Sequence, residues 1–289
     1  MDESKKLRRV NWLLRDKYPY FLKDPKKYLP VIQKDIERLE AGEPLAYVIG
    51  WVDFLGAKID LSYKPLIPRV ETEFWVERAI RQIKSESTCP YRYPKRCGRA
   101  DLSEYPEYKG KQKGFTLHAS RFRMLDLCSG SGCIGLAILK HLPESRVTFV
   151  DNKPNCLRQI RKNLKLNKIS LARYKIIRSN VLKNVRTLFD YVFTNPPYIP
   201  AGRKLPDSVK KFEPKEALFA GKGGLAILRQ ILKEVPRHLR PGGKIYFEFD
   251  SGQKKRIEIL FKNLPYAEHE LRKDQYGEWR WGCARTAAK

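Results

Sequence analysis

Asn195, Pro196, Pro197 and Tyr198 stand in a row at the end of the run Phe189-Asp190-Tyr191-Val192-Phe193-Thr194. That run is apolar, β-branched and aromatic, the composition of a buried strand. Two prolines stop it, because neither has the N–H that a central strand's ladder needs. Pro196 also keeps Asn195 out of the helical region, so its amide is held at a strand's C-terminal end, where open α/β sheets bind ligands. The four residues suit one task, the gripping of a planar –NH2 group. The Asn195 side-chain oxygen can accept one N–H and the Pro196 carbonyl the other, with the Tyr198 ring over the π-face. An amide or exocyclic amine is a weak nucleophile, since its lone pair is delocalised. Fixing both hydrogens aims the nitrogen and favours its becoming tetrahedral as it attacks. Alone, the four residues are a turn after a strand; the chemistry also requires an electrophile.

A site for one lies upstream. Asp126, Leu127, Cys128, Ser129, Gly130, Ser131 and Gly132 fall between an expected strand and an expected helix. Glycines there let backbone approach a ligand closely, and the helix N-terminus offers free N–H groups. Asp151 closes the next strand about twenty residues further on, where a carboxylate accepts from ribose hydroxyls. The turn reads as Ser-Gly-Ser-Gly after Asp126 and suits a zwitterion better than a pyrophosphate. It points to S-adenosylmethionine, whose sulfonium methyl is such an electrophile.

The rest of the chain must hold these two sites together. It has 289 residues, 42% hydrophobic and 31% charged, enough for one large domain and a small one. Its 59 Lys+Arg against 32 Asp+Glu give +27, a balance that attracts RNA, ribosomes or anionic membranes. No apolar run reaches the ~18 residues of a membrane span. Cys89, Cys97, Cys128, Cys133, Cys156 and Cys283 show no CxxC spacing, which argues for free thiols and against zinc. The N-terminus has no apolar signal region; Lys5, Lys6, Arg8, Arg9 and Arg15 resemble an organellar targeting helix, diluted by Asp2, Glu3 and Asp16.

Helical spacing covers 4–17 and 25–40, and a β-hairpin is expected from Tyr47 to Phe54 and Lys58 to Leu61 around Gly56. The domain reading is 1–43 helical, 44–70 a hairpin connector and 71–289 catalytic. A helix is expected over Phe74 to Ile83, with Glu71 and Glu73 capping or solvating it. Residues 85–120, rich in Pro, Tyr, Lys and Gly, read as a mobile basic surface insertion. From Arg121 strands and helices alternate, predicting a parallel sheet covered on both faces. A helix over Leu225 to Leu239, a turn at Pro241-Gly242-Gly243 and a terminal pair of strands about Gly277 complete it.

The chain resembles the HemK/PrmC family of class I methyltransferases, which methylate the side-chain amide of the Gly-Gly-Gln glutamine in class 1 peptide-chain release factors. The resemblance runs from about Gly42 to Arg285. It rests on Asp126 to Gly132, Asp151 and Asn195 to Tyr198, and more specifically on three flanking blocks. These are Gly42-Glu43-Pro44-Leu45 with Gly50; Ile67-Pro68-Arg69 with Glu71-Thr72-Glu73; and Phe212-Glu213-Pro214 with Ala217-Leu218 and Gly224. It implies an α/β, class I, Rossmann-like S-adenosylmethionine-dependent fold. That fold has a seven-stranded, mostly parallel sheet with a C-terminal antiparallel hairpin and a small helical N-terminal domain.

It further implies catalysis at Asn195, Pro196, Pro197 and Tyr198, and cofactor contacts at Asp126, Cys128, Ser129, Gly130, Ser131, Gly132, Asp151, Asn180, Val181 and Asn195. Substrate contacts would add Pro68 and Arg69, with Arg69 equally readable as a structural anchor. Cys128 stands where the family commonly has Gly, Val70 where it has Pro, and Asn180 where Asp often meets the adenine amine. The cysteine in the glycine loop and the basic balance resemble fungal mitochondrial members, so a mitochondrial location is expected, with a cytoplasmic one as the alternative. The expected partner is a release factor, with weak RNA or ribosome contact through the basic surface and no membrane. Two other classes fit some of the features. One is a nucleic-acid methyltransferase acting on an exocyclic amine of adenine or guanine; the other is an idle RNA- or ribosome-binding protein that has kept the fold.

Overall fold

The computed structural model describes residues 3–88 and 122–288. Three helices open it: α1 (Glu3–Lys17), α2 (Pro25–Glu40) and α3 (Leu45–Ile49). Asp24 caps α2 by accepting from the Lys27 N–H at 3.2 Å, and Pro25 takes the first helical position. Their apolar faces meet in a small core of Leu13, Tyr18, Ile32, Leu39 and Val48. Asp35 is buried beside it and accepts from Lys17 at 2.5 Å, Tyr18 at 2.7 Å and Arg38 at 2.9 Å. A carboxylate can be taken out of water there because three donors satisfy it.

The expected hairpin is shorter than its sequence pattern. Strands β1 (Trp51–Phe54) and β2 (Ala57–Asp60) pair antiparallel, but Tyr47 lies in α3. Pro44 at the N-cap and Gly50 at φ +94 after the last turn define a helical turn that alternation conceals.

The main sheet takes β3 (Arg123–Leu127), β4 (Arg146–Asp151), β5 (Tyr174–Arg178), β6 (Phe189–Thr194), β7 (Leu239–Glu248), β8 (Glu268–Lys273) and β9 (Trp279–Arg285). Their order is β5-β4-β3-β6-β7-β9-β8, the first five parallel and the last two antiparallel. Helices α4 (Val70–Thr88), α5 (Cys133–His141) and α6 (Pro154–Leu166) cover one face. Helices α8 (Ala226–Glu234) and α9 (Lys254–Phe261) cover the other; α7 (Asp207–Phe212) is a short turn beyond β6. Successive β6 residues point to opposite cores, Phe193 to the first and Val192 to the second, so the strand is apolar throughout. Among the described residues no helix is long and apolar enough to cross a membrane.

Several boundaries move. Helix α4 runs from Val70 to Thr88 and takes in 85–88; the rest of the supposed insertion lies outside the described residues. The helix expected over Leu225 to Leu239 ends at Glu234 and tightens into a 3-10 turn at Val235–His238, because Pro236 lacks an N–H. Pro241-Gly242-Gly243 does not separate two elements but bends β7 from within, with Gly242 at φ +71.

The glycine turn also has a third member. Gly135 stands three residues after Gly132, and a Cβ on it would sit 2.2 Å from the Phe149 ring and 3.0 Å from Asp126 Oδ2. It lets α5 lie directly on β4, the packing role of the last glycine in a G-x-G-x-x-G pattern. The reading as Ser-Gly-Ser-Gly stopped one glycine short. Gly135→Ala should therefore cost about 1–3 kcal/mol by overpacking and lower the melting temperature by roughly 5 °C, measured by calorimetry.

Candidate active site

Registered pairing brings Leu127 level with both Val150 and Thr194, so β3, β4 and β6 end together at one rim. The strand order reverses between β3 and β6, where such a sheet opens a crevice. A cavity of about 640 Å³ lies there, within the usual range for small-molecule sites. The loop 63–69 forms one wall and the segment 214–219 another.

Asn195 lines this cavity. Its Nδ2 donates to Thr72 Oγ1 at 3.1 Å, and the Thr72 hydroxyl in turn donates to Glu248 Oε2 at 2.6 Å. A hydroxyl whose proton goes to a carboxylate can only accept from its other neighbour. The amide nitrogen must therefore face Thr72, leaving Asn195 Oδ1 without a partner among the described residues. The same Glu248 accepts from Trp75 Nε1 at 2.8 Å and from the Tyr198 hydroxyl at 2.9 Å. Burial pushes the Glu248 carboxyl above its ordinary value, while these three donors and the Arg280 charge pull it back. One carboxyl thus orients both ends of the Asn195–Tyr198 turn.

Beyond β6 the chain folds back on itself. Tyr198's carbonyl accepts from Gln253 Nε2 at 2.7 Å, and Ile199 bridges Phe219. Gly224 passes so close that a Cβ would sit 2.1 Å from the Tyr198 carbonyl. Among the described residues no hydrogen bond reaches the Pro196 carbonyl. Pro197 lines the cavity with Asn195; Pro196 and Tyr198 sit behind them.

The glycine turn forms the other end. Ser129 Oγ donates to the Asp126 carbonyl at 2.7 Å and accepts from the Val150 N–H at 2.9 Å, tying β3 to β4. Asp151 accepts from the Gly130 N–H at 2.9 Å and from the Lys153 N–H at 2.9 Å, which aims its carboxylate along the cavity floor. Gly130, at φ +54, has open space where a Cβ would project, so the cavity reaches the backbone itself. Cys128, Ser129, Ser131, Asn180 and Val181 line the same cavity, and Asn180's side chain is exposed. Cys128 holds φ +58 and Val181 φ +48, left-handed conformations that glycine adopts more easily. A backbone cradle, a strand-end carboxylate and a cavity of this size fit S-adenosylmethionine.

Asp126 and Gly132 lie beneath the turn and do not line the cavity. Asp126 is fully buried; Oδ2 accepts from the Gly135 N–H at 2.9 Å and Oδ1 has no partner. Burial pushes its carboxyl up to about 8, the Gly135 N–H opposing and the Asp151 charge adding to it. The folded chain therefore holds a proton that the unfolded chain releases near pH 4. The neutral form's contribution is fully present below that pH and is lost as pH rises through about 8. Relative to Asp126→Asn, the ligand-free wild type should lose roughly 1.4 kcal/mol for each pH unit between 5 and 8, read from paired urea melts. A constant difference would remove the assignment.

Arg69 points across the opening and donates to Glu213 at 2.7 Å, while Glu213 also accepts from the Ile67 N–H at 3.1 Å. Glu213 is buried, so the pair pins the wall that contains Pro68, and both Pro68 and Arg69 still line the cavity. The Tyr47 hydroxyl fixes the same wall through the Pro65 carbonyl at 2.6 Å. Glu73 does more than solvate α4: it accepts from the Leu55 N–H at 2.8 Å and holds the hairpin turn.

Sequence reasoning missed Glu248 and gave Thr72 no role. Glu248 carried one signal, a carboxylate inside the apolar run Ile245 to Phe249. The reading also missed that Cys133 and Cys156 line the cavity with Cys128. Burial raises all three thiols, Cys133 and Cys156 to about 12, so none is a ready nucleophile. His141, His238 and His269 lie outside the cavity, and His118 falls outside the described residues.

Sheet order, glycine turn, strand-end carboxylate and Asn-Pro-Pro-Tyr together define a class I S-adenosylmethionine-dependent methyltransferase. Residues 115–214 match the family described as Methyltransferase small domain. The release factor glutamine methyltransferase of Francisella tularensis is 32% identical over 251 residues, 86% of this chain and 76% of that one. That of Borreliella burgdorferi is 30% identical over 265 residues, 89% and 80%. The chain belongs to the release factor glutamine methyltransferase family.

It spans only 43% of a Rickettsia prowazekii relative named bifunctional methyltransferase, at 30% identity over 82% of this chain. Two solved structures share the fold at low identity. The hMettl16 catalytic domain, solved with a 3′UTR hairpin, has a TM-score of 0.55 at 16% identity, covering 81% of this chain and 77% of that one. The 16S rRNA methyltransferase RsmC of T. thermophilus, solved with AdoMet and guanosine, has a TM-score of 0.52 at 15% identity, covering 82% and 49%.

Proposed function

We propose that this chain methylates the side-chain amide nitrogen of the Gly-Gly-Gln glutamine in a class 1 peptide-chain release factor, and that it does so in mitochondria. One observation carries the reaction: Asn195 presents to the cavity a fixed carbonyl oxygen, set by Thr72 and Glu248, that has no partner among the described residues. S-adenosylmethionine, when bound, supplies an electrophilic sulfonium methyl. Pro196 does not line the cavity, so of the two N–H groups of the glutamine amide one is taken, by Asn195 Oδ1. That leaves the nitrogen's lone pair aimed at the glycine-turn end of the cavity. The wall of Pro68 and Arg69 sheds water from the opening. An N-alkylated amide cation is acidic enough to lose its proton to solvent, so it is no obstacle that no histidine lines the cavity among the described residues. Family membership supports the glutamine substrate; the basic balance and the cysteine in the glycine turn support the mitochondrial location.

The test uses the purified chain, S-adenosylmethionine and a recombinant mitochondrial class 1 release factor, with mass spectrometry of the Gly-Gly-Gln peptide. One added methyl on glutamine is expected, and none with Asn195→Ala. An unmodified peptide despite donor binding would reject this substrate, and methyl incorporation into adenine or guanine of added RNA or DNA would replace it. Imaging of the tagged protein against a mitochondrial marker checks the location separately.

A further inference from the structure

Between Asp151 and Asp190 the chain carries 11 lysines and arginines and no aspartate or glutamate. The segment builds α6, β5 and the return to β6, so it forms one open edge of the sheet. Part of this charge is used within the fold. Lys153 pairs with Glu216 at 3.0 Å, Lys162 with Asp60 at 2.9 Å, and Arg173 donates to the Leu139 and Leu142 carbonyls. Arg161, Lys165, Lys168, Lys175 and Lys183 remain exposed, and their side chains meet no carboxylate among the described residues.

Solvation does not account for a single sign. A wet helix face is most stable with opposite charges one turn apart, as in Glu77–Arg81 on α4 and Lys254–Glu258 on α9. On α6 the same spacing sets Arg158 beside Lys162 and Arg161 beside Lys165, like-charge pairs that weaken the helix.

We propose that the α6 surface of Arg161, Lys165 and Lys168, continued around the β5 edge to Lys175 and Lys183 on the other face, binds RNA along its phosphate backbone. The choice of RNA among polyanions rests on the translational reading above. Arg161 and Lys165 lie one turn apart on α6, about 5–6 Å, and Lys168 follows just past its C-terminus, so the three can meet phosphates of one strand. Leu166, Leu171 and Leu188 are the large exposed apolar side chains among the described residues of this edge, scattered and too few for the apolar centre of a protein interface. Among the described residues Tyr63, under Arg158, is the one exposed aromatic beside α6, too few to stack successive bases, so binding is independent of sequence. Lys153 and Arg158 line the cavity mouth at one end of α6, so RNA lying along the helix runs beside the substrate opening.

The experiment is fluorescence anisotropy of the full chain with a labelled RNA hairpin across a salt series. The triple variant Arg161→Glu, Lys165→Glu, Lys168→Glu is compared with Lys233→Glu, Arg237→Glu, Lys255→Glu on the opposite face, which has the same net charge. The α6 triple should weaken binding at least about tenfold and reduce the slope of log K against log salt by about 2, and the control should keep the wild-type slope. Equal losses in both variants would reduce the effect to net charge and overturn the proposal. Displacement of the RNA by polyglutamate as readily as by unlabelled RNA would overturn it in favour of an acidic protein surface. Methylation of the isolated Gly-Gly-Gln peptide should be unchanged in the α6 triple, since none of its three positions touches the cavity. That assay reads the proposed substrate separately: no methylation by the wild type would reject the substrate while leaving the RNA result to stand or fall by itself.

Discussion

Asn195→Ala should abolish methyl transfer, lowering the single-turnover rate by about 10²–10³ or more while leaving donor binding partly intact. The magnitude follows from removing one preorganised partner from a site shielded from water. Alanine deletes the acceptor that fixes one amide hydrogen, and the substrate nitrogen is then free to rotate away from the donor. Donor binding persists because Gly130, Asp151 and Asn180, at the other end of the cavity, are untouched. Asn195→Asp separates two roles of the side chain. It keeps an acceptor toward the cavity but cannot donate to Thr72, whose hydroxyl is already committed to Glu248. It should fall between wild type and alanine. Rapid-quench transfer together with donor titration by calorimetry checks both variants; an alanine variant turning over normally would eliminate the proposed grip.

Glu248→Gln should have the next largest effect, on activity and stability at once. The carboxyl takes three donors, from Thr72, Trp75 and Tyr198, in a fully buried place. A glutamine offers one oxygen and one –NH2, so at most two of the three donors keep their acceptor, and the third must accept instead or go unpaired. Leaving a buried polar group unpaired costs about 1–3 kcal/mol, and more where the lost partner was charged. The rate should also fall by roughly tenfold or more, because Thr72 no longer holds the Asn195 amide in one orientation. Thr72→Val keeps the shape and removes only that hydroxyl; it should lower kcat with a smaller loss of stability, and Thr72→Ser should restore it. Urea melts and kcat against KM for the three variants distinguish a positioning role from general destabilisation. Unchanged kcat in Thr72→Val would remove the positioning role.

Much of this was legible along the chain. Proline chemistry and apolar runs marked β6 and its end, and alternating strand and helix periods predicted the parallel sheet with Asp151 at a strand terminus. Local pattern failed where a local signal was ambiguous. The turn at Leu45–Ile49 alternates like a strand, and Glu73 looks like a helix-start carboxylate although it holds Leu55 in the hairpin. The third glycine is visible in the sequence, yet its need is felt only against the Phe149 ring of the next strand.

The amino-acid sequence by itself determined which residues are able to grip an amide and cradle a cofactor, because proline geometry, glycine freedom and the donor–acceptor character of an amide are properties of residues and their neighbours. Only the tertiary structure decided how those residues are aimed. The orientation of Asn195 depends on Thr72 and Glu248, which lie 123 residues before it and 53 after it, and are joined to it by hydrogen bonds across α4 and β7. Buried hydrogen bonds are short-ranged and directional, so no spacing along the chain encodes them. They exist only once the sheet has closed.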